Sequence, residues 1–199
     1  MAKSKLSLAD ATFEDRLAGG VHLWSIEDLM PQNGHRRSTE RPNNFVSPKF
    51  GFLHHSGSLG ASGVQGAVNS ANYVVRERNF PGGQGPYHIW IPYEKLKDAT
   101  GAYVALRMSA DKQRTWSQGD DANDWGWSIC LQGNLTKKTI SPSQIEVLEA
   151  LLPWAMDRFG WSGSDLLMHK EASSVGGRSK STCPGTSAEA YLREYRARM

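Results

Sequence analysis

Three short segments of this chain carry side chains that metals take, and they lie far apart: Leu53-His54-His55-Ser56, Leu167-Met168-His169 and Thr182-Cys183-Pro184-Gly185. Two imidazoles and one thiolate form a set that Zn²⁺ accepts readily, leaving a fourth tetrahedral position for water. The spacing is not that of a local finger, so a centre built from these pieces constrains the whole tertiary structure. A strand from the first third of the chain has to meet segments near its end. Successive side chains on a strand point to opposite faces, so only one of His54 and His55 can enter such a centre. Pro184 and Gly185 put Cys183 in a turn, where its sulfur can project toward a partner.

The segments between these points alternate in type. Phe50-Gly51-Phe52-Leu53-His54 and Tyr87-His88-Ile89-Trp90-Ile91 are aromatic and aliphatic runs bounded by Gly, Pro and Ser, which is how buried strands read. Trp127-Ser128-Ile129-Cys130-Leu131 is a third such run, with Cys130 as a small buried hydrophobe. Residues 60–66 are rich in small side chains and predict a loop or a helix entry, while 69–79 fit a short helix and a strand equally. Residues 111–124 are polar with one Trp and fit a long surface loop, either beside a groove or simply solvated.

The best-marked helix starts at Ser141. Ser141 as N-cap, Pro142 at the first helical position and Gln144 three residues after the cap form a capping box. Ile145, Leu148, Leu151, Leu152, Ala155 and Phe159 follow at helical spacing, and Gly160 supplies a stop. Pro153 predicts a bend or a split. A second helix is expected over 187–198, with Arg193, Arg196 and Arg198 toward its C-terminal end, where the dipole favours cations. Residues 1–44 are expected to be an N-terminal extension, polar and broken by Pro31, Gly34 and Pro42, with Trp24 and Leu29 as candidate anchors. The pattern predicts one α/β domain with a central mixed β-sheet flanked by helices.

Composition narrows the function classes. The 199 residues can bury one substantial core and demand no second domain. Against 20 acidic residues stand 23 basic ones, a formal charge of +3, which implies neither a nucleic-acid stripe nor a polybasic membrane patch. No apolar run approaches the ~20 residues of a membrane span, so membrane insertion is not expected. The N-terminus lacks the apolar core of a secretory signal, which predicts cytoplasmic synthesis. Two cysteines make no disulfide framework, and nothing in the pattern calls for more than a monomer.

Read in order, Phe52-Leu53-His54-His55-Ser56, Pro86-Tyr87-His88-Ile89-Trp90-Ile91, Ser128-Ile129-Cys130-Leu131-Gln132-Gly133-Asn134, Ser141-Pro142-Ser143-Gln144, Leu167-Met168-His169 and Lys180-Ser181-Thr182-Cys183-Pro184-Gly185 resemble the N-acetylmuramoyl-L-alanine amidases. The resemblance is to the type-2 amidase and peptidoglycan recognition protein family, phage lysozyme-type amidases included, and it runs from about Phe45 to the C-terminus. It implies a zinc amidase domain over 45–199, with zinc on His54, His169 and Cys183. His55 is then left to pack or hydrogen-bond on the other face. Tyr87 matches the family's metal-facing Tyr and becomes the candidate donor to a developing oxyanion. The family commonly has Lys, sometimes Thr, two residues before the last ligand. This chain has Ser181 there and Lys180 one place earlier, so both are candidates to assist catalysis. Gln132 and its strand carry no carboxylate, which disfavours the acid-dependent branch.

The implied reaction is hydrolysis of the amide between N-acetylmuramic acid and the L-alanine of the peptidoglycan stem peptide. The expected setting is a phage or prophage endolysin acting on the cell wall after release. Two other classes compete. A peptidoglycan-binding receptor would keep the groove without the metal, and retention of all three ligands argues against it. A cysteine hydrolase using Cys183 with His169 would need a thiolate free to attack.

Overall fold

A computed structural model describes residues 5–30, 47–77, 86–178 and 181–199. Seven strands form one mixed sheet: β1 (Thr12–Leu17), β2 (Val21–Ser25), β3 (Phe50–His55), β4 (Ile89–Ile91), β5 (Tyr103–Arg107), β6 (Gly126–Leu131) and β7 (Leu166–Met168). Their spatial order is β1-β2-β5-β4-β6-β3-β7. The block β4-β6-β3-β7 is parallel throughout, while β4 meets β5 and β1 meets β2 antiparallel. The expected single α/β domain with a central mixed sheet is what the chain forms.

Helices cover both faces. Helix α1 (Gly63–Glu77) lays Val64, Ala67, Val68 and Ala71 against Trp90, Leu106 and Cys130. That i, i+3, i+4, i+7 stripe begins before residue 69, which is why 69–79 taken alone left helix and strand equally matched. Past a single turn, α2 (Ala122–Trp125), come α3 (Pro142–Phe159) and α4 (Thr186–Ala197) on the opposite face. There Leu148, Leu151, Leu152, Ala155, Tyr191 and Leu192 pack against Leu53, Ile89, Ile91, Ile129 and Leu131.

The start and stop of α3 follow from its sequence. The Ser141 hydroxyl accepts the Gln144 N–H at 3.2 Å, the Gln144 side chain accepts the Ser141 N–H at 3.2 Å, and Gly160 takes the left-handed conformation with φ 70°. Pro153 does not split the helix, which is one element through Phe159. The proline lies on the exposed side, as does Glu149, whose carbonyl loses its intrahelical donor and is open to water.

Two segments that the sequence leaves open take definite form. Within the N-terminal segment, β1 and β2 are integral to the sheet: Val21 and Leu23 are fully buried, and β2 runs parallel to β5. The deepest anchors there are Val21, Leu23, Ile26 and Met30, with Trp24 and Leu29 only partly buried beside them. Residues 31–44 of that segment lie outside the described residues. Second, 111–124 is not a solvated loop. Arg114, Thr115, Gln118 and Asn123 are buried, and the Asn123 side chain accepts the N–H groups of Gln118 (2.9 Å) and Gly119 (3.1 Å). The Asn123 side chain thus satisfies backbone that would otherwise need water.

One transverse row sets up the site. Phe13, Trp24, Leu106, Trp90, Cys130 and His54 are successive register partners across six strands and share one face. His54 ends this row, at the carboxyl end of the parallel block, where open α/β sheets place their ligands.

Candidate metal centre

His54 sits near the end of β3, fully enclosed at 1% exposure. His169 follows directly on β7, the neighbour of β3, and Cys183 arrives from the turn before α4. One ligand atom from each lies within 4.8 Å of the others. The Cys183 sulfur is 3.7 Å from His54 Nδ1, and the two imidazole centroids are 4.6 Å apart. A tetrahedral Zn²⁺ with bonds of about 2.3 Å to sulfur and about 2.0 Å to nitrogen separates those two atoms by roughly 3.5 Å.

The backbone around the ligands is pinned. Lys170 N–H donates to the Cys183 carbonyl at 3.1 Å, tying the two late ligand segments together. The Glu171 carboxylate accepts the Met168 N–H at 2.7 Å and pairs with Arg196 of α4, fixing the turn that presents His169. The Cys183-Pro184 peptide is cis. Gly185 has φ 88°, and a Cβ there would lie 2.6 Å from the Leu135 carbonyl carbon, so the turn requires glycine. His55 points to the other side, its Nδ1 accepting the Leu135 N–H at 3.1 Å.

The electrostatics fit a cation. Burial, then the neighbouring His169 and His55, hold His54 well below the usual imidazole range, so it is a neutral ligand. Burial also lowers His169. Without a cation, burial pushes the Cys183 thiol up to about 12, even though the His55 N–H donates to its sulfur at 3.3 Å. A bound dication is what would hold this sulfur as thiolate at neutral pH. His54 Nε2, the nitrogen turned away from that sulfur, is buried with no hydrogen-bond partner among the described residues. The donor set therefore fits zinc on chemistry as well as on spacing.

Tyr87 stands beside these ligands, its ring centroid 5.3 Å from that of His54. Burial, then the Cys130 and Cys183 sulfurs, raise its phenol well above the usual value, so it is a protonated donor. The Ser181 hydroxyl accepts the Cys183 N–H at 3.0 Å. Lys180 lies outside the described residues. Sequence reasoning noted Gln132 only for what it is not. Its amide donates to the Leu59 and Ala61 carbonyls and accepts the Tyr93 N–H at 3.2 Å, clamping the loop that follows His55. The available signal was a lone amide at the end of an apolar strand.

The chain gathers two imidazoles and a thiol at the carboxyl end of a mixed sheet, a group that could hold a metal ion. The sequence profile of the family described as N-acetylmuramoyl-L-alanine amidase matches residues 44–186, and the chain belongs to that family. No curated protein matches it in sequence. Among solved structures it is similar to the endolysin N-acetylmuramoyl-L-alanine amidase LysCS from Clostridium intestinale URNW, at 20% identity and TM-score 0.55, over 75% of this chain and 83% of that one. It is similar to wild-type Drosophila PGRP-LB at 14% identity and TM-score 0.64, over 88% and 94%. The Ph2119 endolysin from the Thermus scotoductus MAT2119 bacteriophage Ph2119 aligns at 14% identity and TM-score 0.61, over 87% and 98%. At these identities the structural likeness is one of fold.

Proposed function

We propose that this protein is a zinc-dependent peptidoglycan hydrolase that cleaves the amide between N-acetylmuramic acid and the L-alanine of the stem peptide, in the manner of an endolysin. The observation that carries the reading is the convergence of His54, His169 and Cys183 within 4.8 Å in a chain of the amidase family. Similarity in fold to two endolysins supports the lytic setting. Among the described residues no helix is long and apolar enough to cross a membrane.

His54, His169 and Cys183 would hold the ion. When bound, zinc supplies a water of lowered pKa and Lewis-acid polarisation of the scissile carbonyl. The chain's own groups do the rest. Tyr87, protonated and next to His54, donates its O–H to the oxygen on which negative charge develops, and a fixed donor of this kind needs no reorganisation during reaction. Enclosure of His54 and Cys183 keeps competing water from the ligands. Ser181 shapes the Cys183 turn through its hydrogen bond, and Lys180 is the second candidate to assist catalysis.

Purified muropeptide treated with the zinc-loaded protein is expected to give free stem peptide with an N-terminal L-alanine, identified by mass spectrometry. A chelator should abolish the cleavage and zinc restore it. Binding of muropeptide without cleavage would instead make the chain a peptidoglycan receptor. Cleavage that survives chelation but not thiol alkylation would assign the reaction to Cys183 as nucleophile with His169.

A further inference from the structure

At the end of the transverse row opposite His54, the edge of the sheet carries a cavity of about 430 Å³ whose lining includes Leu8, Phe13, Arg16, His22, Trp24 and Asp98. Cavities of this size take small ligands. A β-bulge builds the wall. Phe13 and Arg16 lie three residues apart on β1 and would point to opposite faces of a regular strand, but the register slips between Phe13 and Asp15. Phe13 is therefore the partner of Trp24, Arg16 is the partner of His22, and all four side chains share one face. The Phe13 ring stands edge to face with those of His22 and Trp24, at 5.0 and 5.4 Å, and Phe13 remains 38% exposed. The Asp98 carboxylate is saturated: it accepts the His22 Nδ1–H at 2.6 Å, the Thr100 N–H at 2.8 Å and the Thr100 O–H at 2.6 Å. His22 is left with Nε2, a lone-pair acceptor in the neutral ring. The Arg16 guanidinium lies over the Phe13 ring at 5.8 Å and has no carboxylate partner among the described residues.

Strands β2 and β5 run opposite to β4, so the start of β2 lies at the same end of the sheet as the carboxyl ends of β3 and β6. The cavity and the metal ligands thus share an end and a face, roughly 24 Å apart at about 4.8 Å per strand. An unanswered cation, an acceptor nitrogen and a flat apolar wall suit a ligand with an apolar face, hydroxyls and one acid group. We propose that the cavity is a second sugar site, which takes a muramic acid whose lactyl carboxylate is free. This rests on the amidase reading: hydrolysis adds water across the amide and leaves a carboxylate on the lactyl side and an amine on the L-alanine. The sugar lays the C–H groups of one face on the electron-rich face of Phe13. His22 Nε2 accepts a sugar hydroxyl. Arg16 pairs with the new carboxylate, a charge-assisted contact that the neutral amide of an uncut unit does not offer. The cavity thereby retains the strand that the metal centre has trimmed.

Backbone amide shifts of the zinc-loaded, isotope-labelled full chain, titrated with N-acetylmuramic acid, test the proposal without turnover. Shifts are expected at His22, Trp24 and Thr100. Arg16→Gln should weaken the affinity about tenfold or more, the size of one lost charge-assisted hydrogen bond. N-acetylglucosamine has the ring without the lactyl carboxylate, and should bind the wild type and Arg16→Gln equally weakly. Phe13→Ala should weaken both sugars. Arg16 and Phe13 are exposed on the edge strand, so neither variant opens the core. No shift at these residues, equal affinity for the two sugars, or an affinity unchanged in Arg16→Gln overturns the proposal. Phenylacetate binding more tightly than N-acetylmuramic acid also overturns it, and makes the cavity a site for aromatic acids. The amidase reading fails separately: shifts at the cavity in a chain that leaves muropeptide uncut would uphold the sugar site and reject the cleavage, and cleavage without those shifts would do the reverse.

Discussion

The Ser181 hydroxyl accepts the backbone N–H of Cys183 at 3.0 Å, so the residue two places before the ligand closes the turn that presents the sulfur. Loss of such a supporting contact typically costs about 10- to 100-fold in metal affinity. Ser181→Ala is therefore expected to weaken zinc binding in a competing-chelator titration and to recover most of its kcat in excess zinc. A kcat deficit that excess zinc does not repair would place the Ser181 hydroxyl on the reacting carbonyl. Lys180→Ala is the paired variant, and a larger kcat loss there than in Ser181→Ala would give the cationic role to Lys180.

His54→Ala, His169→Ala and Cys183→Ala should each reduce bound zinc from about one per chain to near none, because a three-ligand site loses its geometry with one ligand gone. Elemental analysis of the purified variants reads this directly. Stoichiometric zinc in Cys183→Ala would reject the ligand set. Tyr87→Phe is the counterpart that should keep its zinc and lose about 10²-fold or more in kcat.

Stability should fall on acidification through His88. Its Nδ1 accepts the Ser128 N–H at 2.9 Å and its Nε2–H donates to the Gln113 carbonyl at 2.8 Å, an arrangement that fixes the neutral ring. Burial lowers its pKa to about 3, against the upward pull of that carbonyl. Between the unfolded value of about 6.5 and about 3, the unfolded chain binds a proton that the folded chain refuses. The stabilisation is complete above the unfolded value and is lost as pH drops through this window. His88→Gln should shrink the stability difference between about pH 6.5 and about pH 5 by about 2 kcal/mol in urea titrations. An unchanged difference would show that His88 does not carry this titration.

Gly185→Ala tests the close approach behind the Cys183 turn. The added carbon would stand 2.6 Å from the Leu135 carbonyl carbon, 2.7 Å from the Thr136 nitrogen and 2.9 Å from His55 Nδ1, on a residue with φ 88°. Two of these are backbone atoms that cannot swing aside. A loss of at least about 1–3 kcal/mol is expected from the strained backbone alone, read as a lower melting temperature together with weakened zinc binding. Wild-type melting would mean that the turn relaxes without cost.

Much of this arrangement was legible in the residues themselves. The α3 boundaries followed from Ser141, Gln144 and Gly160, because capping is local chemistry. The strands bearing His54 and preceding His169 followed from apolar runs, and the choice of His54 over His55 came from the resemblance. Long-range pairing was not legible: nothing local says that β2 lies along β5, so Val21 and Leu23 read as part of an extension. The same limit hid the burial of Thr115 and Gln118, whose partners come from the tertiary structure. Tyr87 was named for its match to a motif, but its place against the His54 ring needed the tertiary structure.

The strand that bears His54 is sandwiched between β6 and β7, both of which come later in the chain. During synthesis the first ligand thus emerges well before either neighbour, and the sulfur last of all. A nascent chain that has not reached Cys183 holds at most two members of the His54, His169 and Cys183 group. A centre that takes its third ligand from the Cys183 turn can therefore assemble only after the chain has been made through the turn preceding α4, however early β3 appears.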